Sequence, residues 1–324
     1  MSGGDRPAVI QALREGRSFL LLSHELPDGD SVGATLALAR GLDQMGKRVT
    51  VGGADPVPRI YRHLPGADGV RPWRELDGGS WDIAVLLDCA EPARAGDAWK
   101  LASGARLVIN IDHHVTNTGF GDLNLVDAKA SATSEQVYDL LADLGVSVDA
   151  AIAACLFAGI MTDTGCFRYE NTTPRALQIA AGLVEAGAEP GALSAWIWES
   201  RHPSTLRLLA RALDTLTTND GGRIAWMTVD DGMLAETGAD EEEVEGFVNY
   251  PRSLEGVEVA LMFRTFKAGG TRVALRSKTY ADVSRIARAL GGGGHPRAAG
   301  CLLDCGLEEA VARVLAEVRK EVSP

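Results

Sequence analysis

The first half of the chain alternates short, mostly apolar runs with longer stretches in which apolar residues recur at helical spacing. Residues 19–22, 48–51, 83–87 and 107–111 read as buried strands, and 31–45 as a helix between the first two. Strands that are apolar at nearly every position, interleaved with helices, predict an α/β domain with a largely parallel sheet covered on both faces. From residue 134 the pattern turns helical over 134–144, 150–161 and 174–185. The last of these opens on Thr172-Thr173-Pro174, a capping threonine before a proline at the first helical position. A break over 186–191, rich in Gly and Pro, approaches a domain boundary. A helical connector near 204–216 then leads to the turn Asn219-Asp220-Gly221-Gly222. Strands near 223–229, 257–266, 271–277 and 301–304, a helix near 282–290 and a terminal helix follow. The expected organisation is a catalytic domain over 1–190, a helical linker over 191–218 and a smaller α/β domain over 219–324, with a cleft between the two domains.

At 324 residues the chain is long enough for two cores. Its 32 Lys and Arg stand against 44 Asp and Glu, a net charge of -12 that repels the backbone of long duplex nucleic acid. A small phosphorylated substrate in a local basic pocket remains compatible with that charge. The five cysteines, Cys89, Cys155, Cys166, Cys301 and Cys305, are odd in number and form no CxxC pair, as expected for reduced thiols of a cytoplasmic protein. Residues 1–7 lack the apolar core of a signal peptide. The apolar run 150–161 is shorter than the roughly 20 residues a membrane span needs, so it reads as a buried helix of a soluble protein.

The chemistry gathers where the expected strands end. The first runs into Ser23-His24-Glu25-Leu26-Pro27-Asp28-Gly29-Asp30, the third ends in Leu87-Asp88-Cys89 and the fourth in Ile111-Asp112-His113-His114. Asp163 follows the apolar helix. In an open parallel sheet, ligands bind beyond the carboxyl ends of the strands. Each piece alone has an ordinary structural explanation: Asp30 as the cap of the helix from Ser31, Asp-Gly-Asp as a turn, Asp163 as a helix end, His24 as a hydrogen-bonded histidine. Four such sites with the same donor chemistry point instead to a metal cluster, because carboxylates crowded at one edge need a counter-charge. Imidazole mixed with carboxylate suits Mn²⁺, with Mg²⁺ and Co²⁺ as alternatives, whereas Cys89 should face the opposite side and pack. The number of acids exceeds what one ion needs, and two ions about 3.5–4 Å apart are the economical arrangement for phosphoryl hydrolysis.

These residues, His24-x3-Asp28-Gly29-Asp30, Asp88, Asp112-His113-His114 and Asp163, resemble the four motifs of the DHH phosphoesterase family. The run from Gly291 through Gly292, Gly293, Gly294, His295, Pro296 and Arg297 to Gly300 resembles the signature of its associated C-terminal domain. The size and the Gly165–Tyr169 segment look like the branch that degrades nanoRNA and dephosphorylates 3′-phosphoadenosine 5′-phosphate (pAp). The resemblance implies one cation held by His24, Asp28 and Asp88 and another by Asp30, Asp88, His113 and Asp163, with Asp88 bridging. It also implies that Asp112 orients a histidine and that His114 faces the substrate phosphate.

On the substrate side, residues 264–297 hold eight Lys or Arg against one acid, Asp282, so this stretch carries +7 and the rest of the chain -19. Such a run is often only a solvated face. Here it adjoins Gly292, Gly293 and Gly294, where bare backbone N–H groups can approach an anion. Arg297 is expected to grip a phosphate, with His295, Arg276, Ser277 and Arg168 as further contacts. Expected partners are short RNA or DNA oligonucleotides and pAp; cyclic dinucleotides are the close rival, and a homodimer is compatible. A non-catalytic nucleotide sensor is the alternative of a different class.

Overall fold

The computed structural model describes residues 5–76, 79–219 and 221–322. Residues 1–4 of the expected polar N-terminus and Asp220 of the expected turn lie outside them. The chain forms two compact units, Met1–Ser200 and Arg201–Pro324. No helix among the described residues is long and apolar enough to cross a membrane. All five cysteines are unpaired.

The first unit runs α1 (Arg6–Glu15), β1 (Ser18–Leu22), α2 (Gly29–Gln44), β2 (Arg48–Gly53), β3 (Arg71–Pro72), β4 (Ile83–Leu87), α3 (Trp99–Ala102), β5 (Leu107–Asp112) and β6 (Leu123–Val126), followed by α4 (Thr133–Leu144), α5 (Ala150–Asp163), α6 (Pro174–Glu185) and α7 (Pro190–Ser194). All six strands are parallel, in the order β3-β2-β1-β4-β5-β6. The parallel sheet is the one the apolar runs predict. The edge strands β3 and β6 escape the pattern because one is two residues with a proline and the other is only half-buried. Alternate side chains serve two cores. Phe19, Leu21, Val85 and Ile109 pack with residues of α2, α4 and α5, while Leu20, Leu22, Ala84 and Leu86 pack with Trp81, Ala95, Ala98 and Ala102.

From β1 the chain moves to β2 on one side, and β4 lies on the other. The ends of β1 and β4 therefore flank the topological switch point of the sheet, where a crevice opens. Two helices close on that place. A Cβ on Gly33 of α2 would overlap the Cys155 carbonyl oxygen of α5, and one on Gly29 would overlap the Thr162 side chain. The missing side chains let the start of α2 and the end of α5 approach closely. Asp163, expected to follow α5, is its final residue.

The second unit comprises α8 (Pro203–Leu213), β7 (Thr217–Asn219), β8 (Ile224–Val229), α9 (Asp231–Thr237), α10 (Asn249–Ser253), β9 (Val259–Thr265), β10 (Thr271–Ser277), α11 (Val283–Ala289), β11 (Gly293–His295), β12 (Ala298–Leu303) and α12 (Leu307–Val322). Its sheet, β11-β12-β10-β9-β8-β7, is antiparallel except between β8 and β9. The segment expected as a connector forms α8, whose Leu208, Leu209 and Ala212 are buried with Ala225 and Met227 of the same unit. Part of the glycine string is a strand. β11 pairs with β12 through Gly294↔Ala299, leaving Pro296-Arg297 as the turn. A Cβ at Gly292 or Gly294 would overlap the carbonyl oxygen of Gly300 or Ala298, so this hairpin requires glycine at both positions.

The close helix crossing sets a first prediction. Gly33→Ala should destabilise the fold by about 1–3 kcal/mol through overpacking, read as a lower midpoint in denaturant unfolding. Gly191→Ala, where a Cβ meets nothing within 4 Å, is the control. Equal midpoints for the two variants would show that the helices are not in tight contact.

Candidate metal centre

Three strand ends and two helix ends deliver the side chains. His24 lies two residues beyond β1, with Asp28 at the N-cap of α2. Asp28 Oδ1 accepts from the N–H groups of Asp30 and Ser31. The cap of α2 is thus Asp28 and not Asp30. Asp30 is buried in the first turn and turns to another helix: its carboxylate accepts from Thr133 N at 2.6 Å and Ser134 N at 2.9 Å. The N-terminal N–H groups of α4, which have no acceptor within the helix, and the partial positive charge of that helix end offset the acid's burial.

Asp88 follows β4 with φ of 57°, a left-handed conformation uncommon for residues other than glycine. Its N–H donates to Ile111 O at 2.9 Å, which ties the bend to the neighbouring strand. Cys89 faces the core, its Sγ 3.2 Å from Glu91 O, and burial pushes its thiol up to about 12. It is a packing residue.

The Asp88 carboxylate stands between two sets of donors. Oδ2 lies 3.6 Å from His24 Nε2, which is itself 3.8 Å from Asp28 Oδ1. Oδ1 lies 3.5 Å from His113 Nε2 and 3.6 Å from His114 Nδ1, and accepts from Thr133 Oγ1 at 3.0 Å. His113 Nε2 is also 3.5 Å from Asp163 Oδ2 and 3.8 Å from Asp30 Oδ2. The histidine–carboxylate separations are too long for hydrogen bonds. Those of His24 and His113 at 3.5–3.6 Å match donors around a shared centre, since ligand atoms about 2.0–2.2 Å from one ion lie about 3–3.6 Å apart, and the two at 3.8 Å are slightly wider.

The far ring nitrogens settle the tautomers. His24 Nδ1 is 2.7 Å from Glu25 O and His113 Nδ1 is 3.2 Å from Ala130 O. A carbonyl only accepts, so each Nδ1 carries a proton, and in the neutral ring the Nε2 lone pair points at the carboxylates. Backbone carbonyls of this kind commonly orient metal-ligating histidines. His114 is turned the other way: its Nδ1 donates to Asp112 Oδ1 at 2.7 Å, which leaves Nε2 as its outward atom.

The electrostatics show the unmet demand for positive charge. Burial opposes protonation of His24 and His113, yet Asp28 and Asp88 lift the first to about 10, and Asp163 and Asp88 lift the second to about 10. Burial, reinforced by the charge of Asp88, raises Asp30 to about 7. Burial likewise holds Asp163 well above the usual carboxylate range, despite the opposing charge of His113. Desolvation works against ionisation of Asp28 and Asp112, but His24 in one case and His114 in the other hold them well below that range. Two triads could each hold an ion, His24–Asp28–Asp88 and Asp30–Asp88–His113, with Asp163 beside the second.

Sequence reasoning missed the supporting residues. Asn117 Nδ2 donates to Asp112 Oδ2 at 2.6 Å and to Asn110 Oδ1 at 2.7 Å, and Gln136 Nε2 donates to Asp112 O at 2.7 Å. A polar Asn110 inside an apolar strand was the one visible signal. Arg94 was missed as well; its Nη2 lies 3.3 Å from His24 Nδ1.

Arg168 is exposed, with Nε donating to Gly165 O at 2.6 Å. In the second unit Ser277 is fully buried and its hydroxyl donates to Pro296 O at 3.2 Å, so it braces the glycine hairpin from within. Arg297 Nη1 donates to Ala281 O at 2.8 Å, and Arg276 Nη1 to Leu275 O at 3.0 Å. Cross-strand pairing puts Arg276, Ala298 and His295 on one face, with Ala274, Gly300 and Gly293 next to them. Several cations of the basic run are engaged elsewhere. Arg264 is buried against Asp231, Arg272 pairs with Glu241 at 2.9 Å, and Arg285 pairs with Glu321 at 3.4 Å.

Residues 18–160 match the model of the DHH family, N-terminal domain, and residues 221–323 match that of the DHHA1 domain. The bifunctional oligoribonuclease and PAP phosphatase NrnA of Thermus thermophilus is 38% identical over 317 residues, 97% of this chain and 93% of that protein. The protein of the same name from Bacillus subtilis is 27% identical, covering 90% of this chain and 91% of its own. The crystal structure of an exopolyphosphatase-related protein from Bacteroides fragilis shares the fold, with a TM-score of 0.86 at 24% identity over 97% of this chain and 95% of that one. Two domains matched in order, and a relative similar along nearly its whole length, establish that this chain belongs to the DHH family.

Proposed function

We propose that the first unit binds two divalent cations about Asp88 and that the protein is a phosphoesterase, hydrolysing short oligoribonucleotides to mononucleotides and pAp to AMP. The observation that carries this reading is the division of the Asp88 carboxylate, one oxygen toward His24 and the other toward His113. One cation is held by His24, Asp28 and Asp88, the other by Asp30, Asp88, His113 and Asp163. Imidazole and carboxylate together favour Mn²⁺ over Mg²⁺, which prefers oxygen alone, and Co²⁺ also suits the set. When bound, the cations supply an attacking water of lowered pKa and neutralise charge on the phosphoryl oxygens.

The chain's own residues do the rest. Ionised Asp112, held by Asn117 and Gln136, fixes His114 with Nδ1 protonated and Nε2 directed outward. His114 stabilises the leaving oxygen and gives it a proton, while Asp112 stabilises the imidazolium. In the second unit, the face carrying Arg276 and His295 over the small residues Ala274, Gly293 and Gly300 is suited to a nucleotide, with Arg297 at the turn. Arg168 is a weaker candidate, since its Nε is already engaged. The oligonucleotide and pAp substrates are supported by the Thermus relative at 38% identity. The five unpaired cysteines support a reducing, cytoplasmic setting.

Asp88→Ala should reduce turnover of pAp and of a dinucleotide to background with Mn²⁺ supplied, and should lower the bound metal below two per chain. Retained turnover in that variant would remove the basis of the assignment. A cyclic dinucleotide assayed beside them tests the rival substrate.

Metal affinity should rise with pH. Protons on His24 and His113, held to about 10, and on Asp30, held to about 7, must leave before the cations bind. Affinity should therefore climb about tenfold or more per pH unit between pH 6 and 8. Calorimetry in buffers of different ionisation enthalpy should detect the released protons; a flat profile would count against this assignment.

His114→Gln should lower kcat about 10²–10⁴-fold. Asp112→Asn should cost a similar amount, and the double variant no more than either single one, because the two residues act as a unit. Additive losses would separate their roles.

A further inference from the structure

Arg94 stands beside the metal centre without a role in it. It lies in a 3₁₀ segment, Pro92–Ala98, on the loop that follows Asp88. Two features pin this loop against the His24 loop. The Arg94 carbonyl accepts from Glu25 N at 2.7 Å, and Gly96, at φ of 54°, packs so closely on Glu25 that a Cβ there would overlap its carboxylate. The guanidinium is thereby brought to 3.3 Å from His24 Nδ1.

That nitrogen offers Arg94 nothing. His24 Nδ1 already donates to Glu25 O at 2.7 Å, so its lone pair is not available to a second donor. Among the described residues, none of the ion pairs involves Arg94. The residue is exposed. An exposed, permanent cation therefore sits at the edge of the His24 ring, in the field of the acid cluster. Cations on that cluster would cancel the attraction, and the favourable partner left for Arg94 is an anion that arrives with the substrate.

We infer that Arg94 binds a non-bridging phosphoryl oxygen of the substrate, and that it favours phosphomonoesters over phosphodiesters; this rests on the phosphoesterase reading above. A guanidinium suits the task because two of its N–H groups can meet two phosphoryl oxygens at once. The preference follows from charge, since a terminal monoester is a dianion near neutral pH and an internal diester a monoanion, so the Coulomb attraction is about doubled.

The test is Arg94→Gln in the Mn²⁺-loaded protein, with Arg94→Lys beside it. Arg94→Gln should lower kcat/KM about 100-fold on pAp and about tenfold on a dinucleotide, and should weaken inhibition by inorganic phosphate about tenfold. Arg94→Lys should recover part of each loss. Mn²⁺ affinity, measured by calorimetry, should stay the same or tighten, because a neighbouring cation has been removed. Weaker Mn²⁺ binding in Arg94→Gln would make Arg94 a brace for His24 and overturn the inference. So would unchanged kcat/KM on both substrates, or equal losses on the two. Wild-type protein that binds Mn²⁺ but turns over neither substrate would instead sink the phosphoesterase reading, and this inference with it.

Discussion

Five carboxylates, those of Asp28, Asp30, Asp88, Asp112 and Asp163, are gathered with three imidazoles at one edge of a parallel sheet, and their mutual repulsion is the constraint the first unit is built around. Three of the five, Asp30, Asp88 and Asp112, are almost wholly buried. Buried like charges persist only when hydrogen bonds, protons or counter-ions compensate them. The protein supplies the first kind itself: the α4 N-terminus on Asp30, Thr133 on Asp88, and Asn117 on Asp112. What remains is met by protons on His24, His113 and Asp30, or by cations in their place. The same imbalance that makes the cluster costly to bury makes it a candidate cation site.

The fold serves this cluster at each level. Parallel order brings the carboxyl ends of β1, β4 and β5 to one edge, and the switch between β1 and β4 opens the crevice there. The left-handed bend at Asp88 turns its side chain between two donor sets that a regular strand end would not reach together. Glycines in α2 let α5 approach until Asp30 and Asp163 both face His113. Strain and close packing are concentrated where the chemistry is, as expected when a site is held by the structure around it.

The second unit spends much of its positive charge on itself. Arg264 is buried with Asp231 and stacks on Phe266 with its Cζ 4.6 Å from the ring centroid, Arg272 pairs with Glu241, and the Lys278 ammonium caps the Leu254 carbonyl. The basic run is therefore less a nucleic-acid surface than its composition implies. The glycines divide in the same way. Gly292 and Gly294 are required by the hairpin's own backbone, whereas Gly293 has open space where a side chain would be.

The sequence alone was enough for the parallel sheet, the helices of the first unit and the identity of the acids and histidines at the strand ends. Apolar runs report burial directly, and a charged residue straight after such a run stands out. It did not reveal which helix Asp30 would cap, that Ser277 would be sealed inside, or that half of the tetraglycine would be a strand. Each of those depends on a partner remote in the chain: Thr133 for Asp30, Pro296 for Ser277, Ala299 for Gly294. Nor could it distinguish Arg94 from any other exposed arginine. A residue's type and its near neighbours set its local conformation, but what faces its side chain is decided by packing between distant segments, and the compensation of buried charge belongs to that level.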